Sequence, residues 1–167
     1  MEFEKAIGQN KIYGWIGIDP GATGAIAIVR SDNVVLIHDY PEDESALVTC
    51  LQFIDMSLTG SITAALIEAQ QPRPTDGCKQ AFSIGGNYKG WLMALAFMRW
   101  PFRAIRPQEW KRGLGYPQND KKLGKEYSRI LARRMYPQAT DLLARVKDHN
   151  RAEALILAHL ARTGGRS

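Results

Sequence analysis

The sequence predicts an α/β domain with one mixed five-stranded sheet, three antiparallel strands then two parallel, flanked by helices. Three Ile- and Val-rich runs near the start are separated by only a few polar or glycine residues, too few for a crossover, so they form an antiparallel meander. Two later apolar runs alternate with helical stretches, and the rest of the chain is helical, which gives the order βββαβαβαα. The 167 residues, 45% of them hydrophobic, are the size of one domain with one sizeable core. No repeat, low-complexity tract or linker divides them, so a single domain is expected over 1–167.

Each element has a local cause. Residues 12–19, 24–30 and 33–39 are the first three strands. Glu42 to Leu58 places Leu47, Leu51, Ile54 and Leu58 at helical spacing, with acidic residues in its first turn. Ile62 to Ile67 is the fourth strand and ends on Glu68, and the proline-bearing stretch Gln70 to Lys79 is a loop. Helix resumes from about Gly90 to Arg99, and Phe102 to Ile105 is a short strand stopped by Arg106-Pro107. A break at 113–120 precedes a helix from about Lys122 to Met135, ended by Tyr136-Pro137. The last helix covers about His149 to Ala161. At about 100° per residue, Ala152, Ile156, His159 and Leu160 form its apolar face, Glu153 lies at the edge and Asp148 takes the cap position.

Composition narrows the function. No apolar run approaches a membrane span, and the N-terminal segment lacks the basic-then-apolar layout of a signal peptide. Cys50 and Cys78 form neither a disulfide framework nor a metal-spaced cluster. A reduced, cytoplasmic setting is expected. The net charge of +5 is unevenly spread: residues 1–98 hold 6 Lys/Arg against 11 Asp/Glu, and residues 99–167 hold 16 against 6. That polarity suits a basic face for a phosphate backbone, although solvated helix faces also carry such charge.

Four acidic positions stand out. Asp19 ends the first strand at a glycine turn and Glu68 ends the fourth, while Asp148 and Glu153 open the last helix. Asp19 could serve only to start its turn, and Asp148 only to cap its helix. If the first and fourth strands are neighbours, however, Asp19 and Glu68 come within ligand reach of each other. Clustered carboxylates repel unless a cation intervenes, and hard oxygen donors select Mg²⁺ or Mn²⁺. Two such ions can clamp the attacking and leaving oxygens of a phosphodiester. Beside a basic half-chain, the cluster reads as a metal-dependent nuclease.

Gly17-Ile-Asp19-Pro-Gly21-Ala-Thr-Gly24-Ala, the strand end Ile67-Glu68 and Arg151-Ala-Glu153-Ala-Leu-Ile-Leu-Ala158 together resemble the RuvC-type Holliday-junction resolvases. Arg106-Pro-Gln-Glu-Trp110-Lys111 and Asp120-Lys121-Lys122 look like that family's Pro-x-x-x-Lys segment and following basic helix, in the style of its phage and prophage branch. The resemblance covers about residues 12–163. It implies an RNase H-like fold, a homodimer, and Mg²⁺-dependent symmetric nicking of four-way DNA junctions in a bacterial cytoplasm, with Mn²⁺ able to substitute and no organic cofactor. It also implies Asp19, Glu68 and Glu153 as metal-binding carboxylates. The position three residues before Glu153, an Asp or His in the better-known bacterial enzymes, is Asn150 here, so Asp148 is taken as the fourth ligand with His149 its rival. Glu153 replaces the more familiar Asp. Ala69-Gln-Gln-Pro72 stands where relatives carry a junction-wedging aromatic; Phe82 or Tyr88 could substitute, with core packing the expected place of Phe82.

Lys111, Lys121 and Lys122 are the expected phosphate contacts, with Arg112 and Lys125 behind them. Trp110 is expected to anchor the core, His38 and His159 to be structural, and Gly85 to Gly90 to be either a flexible loop near DNA or a helix start. The alternatives are a YqgF-like RNA-processing nuclease of the same fold and a non-catalytic module for branched or single-stranded DNA. An actin-like sugar kinase shares the opening motif but needs two such domains.

Overall fold

A computed structural model describes residues 11–164 other than 22, 42 and 118–120, together with the backbone but not the side chain of Lys121. Strands β1 (Gly14–Asp19), β2 (Ala25–Arg30), β3 (Val35–Asp39), β4 (Ile62–Glu68) and β5 (Phe102–Ile105) form one sheet in the order β3-β2-β1-β4-β5. The β1–β2 and β2–β3 pairs are antiparallel, whereas β1–β4 and β4–β5 are parallel. The expected meander and the two parallel additions are both present.

The helices are α1 (Glu44–Met56), α2 (Cys78–Phe97), α3 (Pro107–Arg112), α4 (Lys121–Met135) and α5 (His149–Thr163), with three short 3-10 turns between α4 and α5. The Asp43 side chain caps α1 by accepting the Ala46 N–H at 2.7 Å. Helix α2 starts twelve residues earlier than expected and contains Gly85, Gly86 and Gly90. A glycine inside a helix costs about 1 kcal/mol relative to alanine. Burial of Trp91 and Leu95 against the sheet outweighs that, since a fully buried large apolar side chain contributes about 1.5–3 kcal/mol. Phe82 is 85% exposed, not in the core. It lies nine residues from Trp91, about 180° around the helix, so packing Trp91 inward turns Phe82 to solvent.

Side chains alternate across the sheet. Ile16, Ile18, Ile26, Ile28 and Ile67 pack with Leu47, Leu51 and Ile54 of α1 and with Trp91 and Leu95 of α2. The opposite face presents Ala25, Ala27, Val29 and Leu66 to Leu155, Ile156 and Leu157 of α5, over which lie Ala132 of α4 and Trp110 of α3. Helix α5 is therefore buried on nearly every side, Glu153 included, and not along one stripe as the periodicity predicts. The small β1 and β2 residues let it sit close to the sheet. A Cβ on Gly17 would lie 2.0 Å from the Ala154 carbonyl oxygen and 2.3 Å from the Ala158 nitrogen. Only glycine fits there.

Candidate active site

The β1–β4 register pairs Ile18 with Ile67. The next residues, Asp19 and Glu68, thus end adjacent parallel strands. Both fall on the α5 side, two residues on from Gly17 and Leu66. The turn after β1 is tight: the Asp19 carboxylate accepts the Gly21 N–H at 3.3 Å. A Cβ on Gly24 would stand 1.9 Å from the Asp19 carbonyl oxygen, so this turn also requires a glycine.

Burial pushes the Asp19 carboxyl up to about 6, with the charge of Glu153 adding to it. Burial also pushes Glu68 up to about 7, reinforced by Asp19 and Glu153. Asp19 and Glu68 thus both feel the charge of Glu153, and Glu68 also that of Asp19. Trp110 donates its indole N–H to Glu68 Oε2 at 3.0 Å, and Lys111 Nζ donates to both Glu153 oxygens at 3.0 and 3.1 Å. The Lys111 ammonium rests over the Trp110 and Tyr116 rings, 4.8 and 5.3 Å from their centroids. Among the described residues, no three His, Cys, Asp or Glu side chains are gathered closely enough to hold a metal ion.

The remaining acid is not brought to this group. Asp148 is buried and turned away: its Oδ2 accepts the Arg145 backbone N–H at 2.8 Å, and its Oδ1 lies 2.8 Å from the Arg145 guanidinium and 4.0 Å from that of Arg151. Burial alone would raise its pKa, but the Arg145 contacts hold it below the usual range. The reason is helical phase. Asp148 is five residues before Glu153, about 140° around the helix, whereas His149 and Asn150 are four and three before it and share its face. His149 lies in the field of Lys125, Glu153 and Lys111; burial first, then Lys125, keeps its pKa below the ordinary value. Asn150 donates its side-chain amide to the Thr23 carbonyl and, at 3.0 Å, to Thr23 Oγ1, tying α5 to the turn after Asp19.

Trp110 is buried as expected, and His159 bonds the Tyr136 hydroxyl at 2.9 Å. Of the expected phosphate contacts, Lys111 is half-buried against Glu153, while Lys122, Arg112 and Lys125 are exposed. Asp120 and the Lys121 side chain lie outside the described residues. Sequence reasoning missed Ser128, whose hydroxyl lies 3.0 Å from Glu153 Oε1, Tyr116, which bonds that hydroxyl, and the cleft beside Glu68. That cleft, about 760 Å³, opens between the loop after β4, the first turns of α2 and the start of α3. Gln70, Gln80, Asn87 and Gln108 give it a polar lining, in which Arg73 and Arg106 stand beside the two acids Glu68 and Asp76.

No family model matches the chain, and no curated protein matches its sequence. Solved structures do match. RuvC of Thermus thermophilus in complex with a Holliday junction substrate superposes with a TM-score of 0.56 at 17% identity, covering 92% of this chain and 96% of that one. A second Thermus thermophilus RuvC structure gives a TM-score of 0.51 at 19% identity, covering 92% and 97%. The fold is RNase H-like, as in RuvC. No helix among the described residues is long and apolar enough to cross a membrane.

The raised acids make a pH prediction. Their folded values, about 6 and about 7, exceed the ordinary 3.8 and 4.5, so between those limits the folded chain binds more protons than the unfolded one. The stability they contribute therefore falls as pH rises through 6 and 7. Thermal melts of metal-free protein are expected to show a steeper loss from pH 5 to 7.5 for wild type than for the Asp19→Asn/Glu68→Gln double variant. Equal slopes would show that these carboxyls carry no such strain.

Proposed function

We propose that this protein is a divalent-metal-dependent endonuclease that resolves four-way DNA junctions by paired nicks. The observation that carries the reading is that Asp19 and Glu68, at two neighbouring strand ends, and Glu153 on α5 share one electrostatic neighbourhood within a RuvC-like fold, without being drawn together into a ligand set. Asp19 and Glu68 are desolvated and mutually repelled, the condition a divalent cation relieves, and all three donors are hard oxygens suited to Mg²⁺ or Mn²⁺. Asp19, Glu68 and Glu153 would hold the metal. His149, which shares the face of Glu153, is favoured over Asp148 as a further ligand. Bound there, two such ions would polarise the scissile phosphate and supply a nucleophilic water at neutral pH.

The chain's own groups prepare that site. Trp110 fixes the Glu68 carboxylate, and its ring with that of Tyr116 supports the Lys111 ammonium. Once released from Glu153, that ammonium is available to a phosphate oxygen. The exposed Lys122, Arg112 and Lys125, with Lys121, would grip the backbone, and the cleft beside Glu68 would take one strand. Paired nicks need two such sites, so the working unit is read as a homodimer. The exposed Phe82, Met93 and Phe97, on one side of α2, offer a surface for the second copy.

Labelled four-way junction, matched duplex and flap DNA in Mg²⁺, Mn²⁺ or EDTA test this. Symmetric nicks confined to the junction and abolished by EDTA are expected. Equal cutting of flaps would make it a general branch nuclease, and tight binding without nicks would make it a binding module.

A further inference from the structure

We propose that Tyr116 and Ser128 form a buried hydroxyl relay that positions Glu153 for a divalent cation; this rests on the reading of Glu153 as a metal ligand. Ser128 Oγ lies 3.0 Å from Glu153 Oε1, and the Tyr116 hydroxyl lies 3.0 Å from Ser128 Oγ. Ser128 is fully buried and Tyr116 is 8% exposed, so water does not replace either contact. The three residues come from α4, the segment after α3, and α5.

The direction of the relay follows from proton counting. An ionised carboxylate only accepts, and a serine hydroxyl has one proton to give. The Gly124 carbonyl, also 3.0 Å from Ser128 Oγ, competes for that proton, but a carboxylate is the stronger acceptor. Ser128 then accepts from Tyr116, whose phenol stays protonated because burial raises its pKa. Each donor polarises the next.

The relay answers a problem set by the side chain itself. A glutamate carboxylate hangs on three rotatable bonds, one more than an aspartate, so it needs an external restraint. Ser128 supplies one at Oε1, while Lys111 spans both oxygens with a charge that a metal ion would replace. Lys111 fills the cation's electrostatic place; the hydroxyl pair keeps the carboxylate aimed when the cation arrives.

Tyr116→Phe and Ser128→Ala each remove one link. Tyr127→Phe is the control: its hydroxyl donates to the Leu114 carbonyl at 2.7 Å, in the same aromatic cluster but with no bond to Glu153. The measurement is Mn²⁺ affinity, read from the electron paramagnetic resonance signal of free Mn²⁺, beside the Mn²⁺ dependence of junction cleavage. Tyr116→Phe and Ser128→Ala are expected to bind Mn²⁺ about tenfold more weakly, the usual cost of losing a group that orients a metal ligand. The half-saturating Mn²⁺ concentration for cleavage should rise equally, and Tyr127→Phe should match wild type. If Ser128→Ala does not fold, Tyr116→Phe, which keeps the ring, decides alone. Wild-type affinity in Tyr116→Phe, or an equal loss in Tyr127→Phe, would overturn the relay. Wild-type protein that takes up no Mn²⁺ would overturn the metal reading and the relay with it.

Discussion

Asp19→Asn and Glu68→Gln are each expected to slow metal-dependent junction cleavage by about a thousandfold while leaving DNA binding intact. Metal-ion catalysis supplies several kcal/mol of transition-state stabilisation, and about 4 kcal/mol is nearly three decades in rate. Each substitution removes a negative oxygen from a pair at the ends of β1 and β4 and changes neither strand nor side-chain size. Binding should survive because Lys122, Arg112 and Lys125 lie outside the acid cluster. Asp148→Asn is the contrast: its carboxylate serves Arg145, so the cleavage rate should stay near wild type while stability falls. Single-turnover cleavage with a gel shift in EDTA separates these effects. A folded Asp19→Asn protein that cuts at the wild-type rate would remove the assignment.

Gly17→Ala is expected to be the most damaging single-methyl change in the fold. The added carbon would meet backbone atoms of α5 at 2.0 and 2.3 Å, and backbone cannot rotate aside as a side chain can. Overpacking a well-filled core costs about 1–3 kcal/mol. At the upper end, the melting temperature of a domain this size drops by about 6–12 °C. Gly85→Ala, where an added Cβ meets nothing within 4 Å, should instead be neutral or stabilising by up to about 1 kcal/mol. Thermal melts followed by circular dichroism compare the two. An unchanged Gly17→Ala melt would mean that α5 can ride higher on the sheet.

Much of this was legible from residues alone. The sheet is written in short Ile/Val runs whose connections leave little topological choice, and Asp19 and Glu68 stand where those runs stop. The first twelve residues of α2 were hidden because its glycines read as a loop or a helix start, and burial of Trp91 and Leu95 overrides them. Asp148 is near Glu153 in sequence but about 140° from it around the helix, where Arg145 takes its carboxylate. Trp110 and Lys111 were visible, but not what they hold, since their partners lie 42 residues away in each case. Ser128 left a fainter trace, as the single serine of a basic helix.

The depth at which α5 lies has a consequence for synthesis. This helix follows all the strands among the described residues, yet it fills the sheet face beneath Gly17 and carries Glu153. A nascent polypeptide can release all five strands from the ribosome and still lack both half its core and the last of the three acids. Its contacts across the sheet are long-range in sequence and must wait for that final segment. On the proposed reading, the set of acids that would hold the metal is therefore incomplete until α5 has docked.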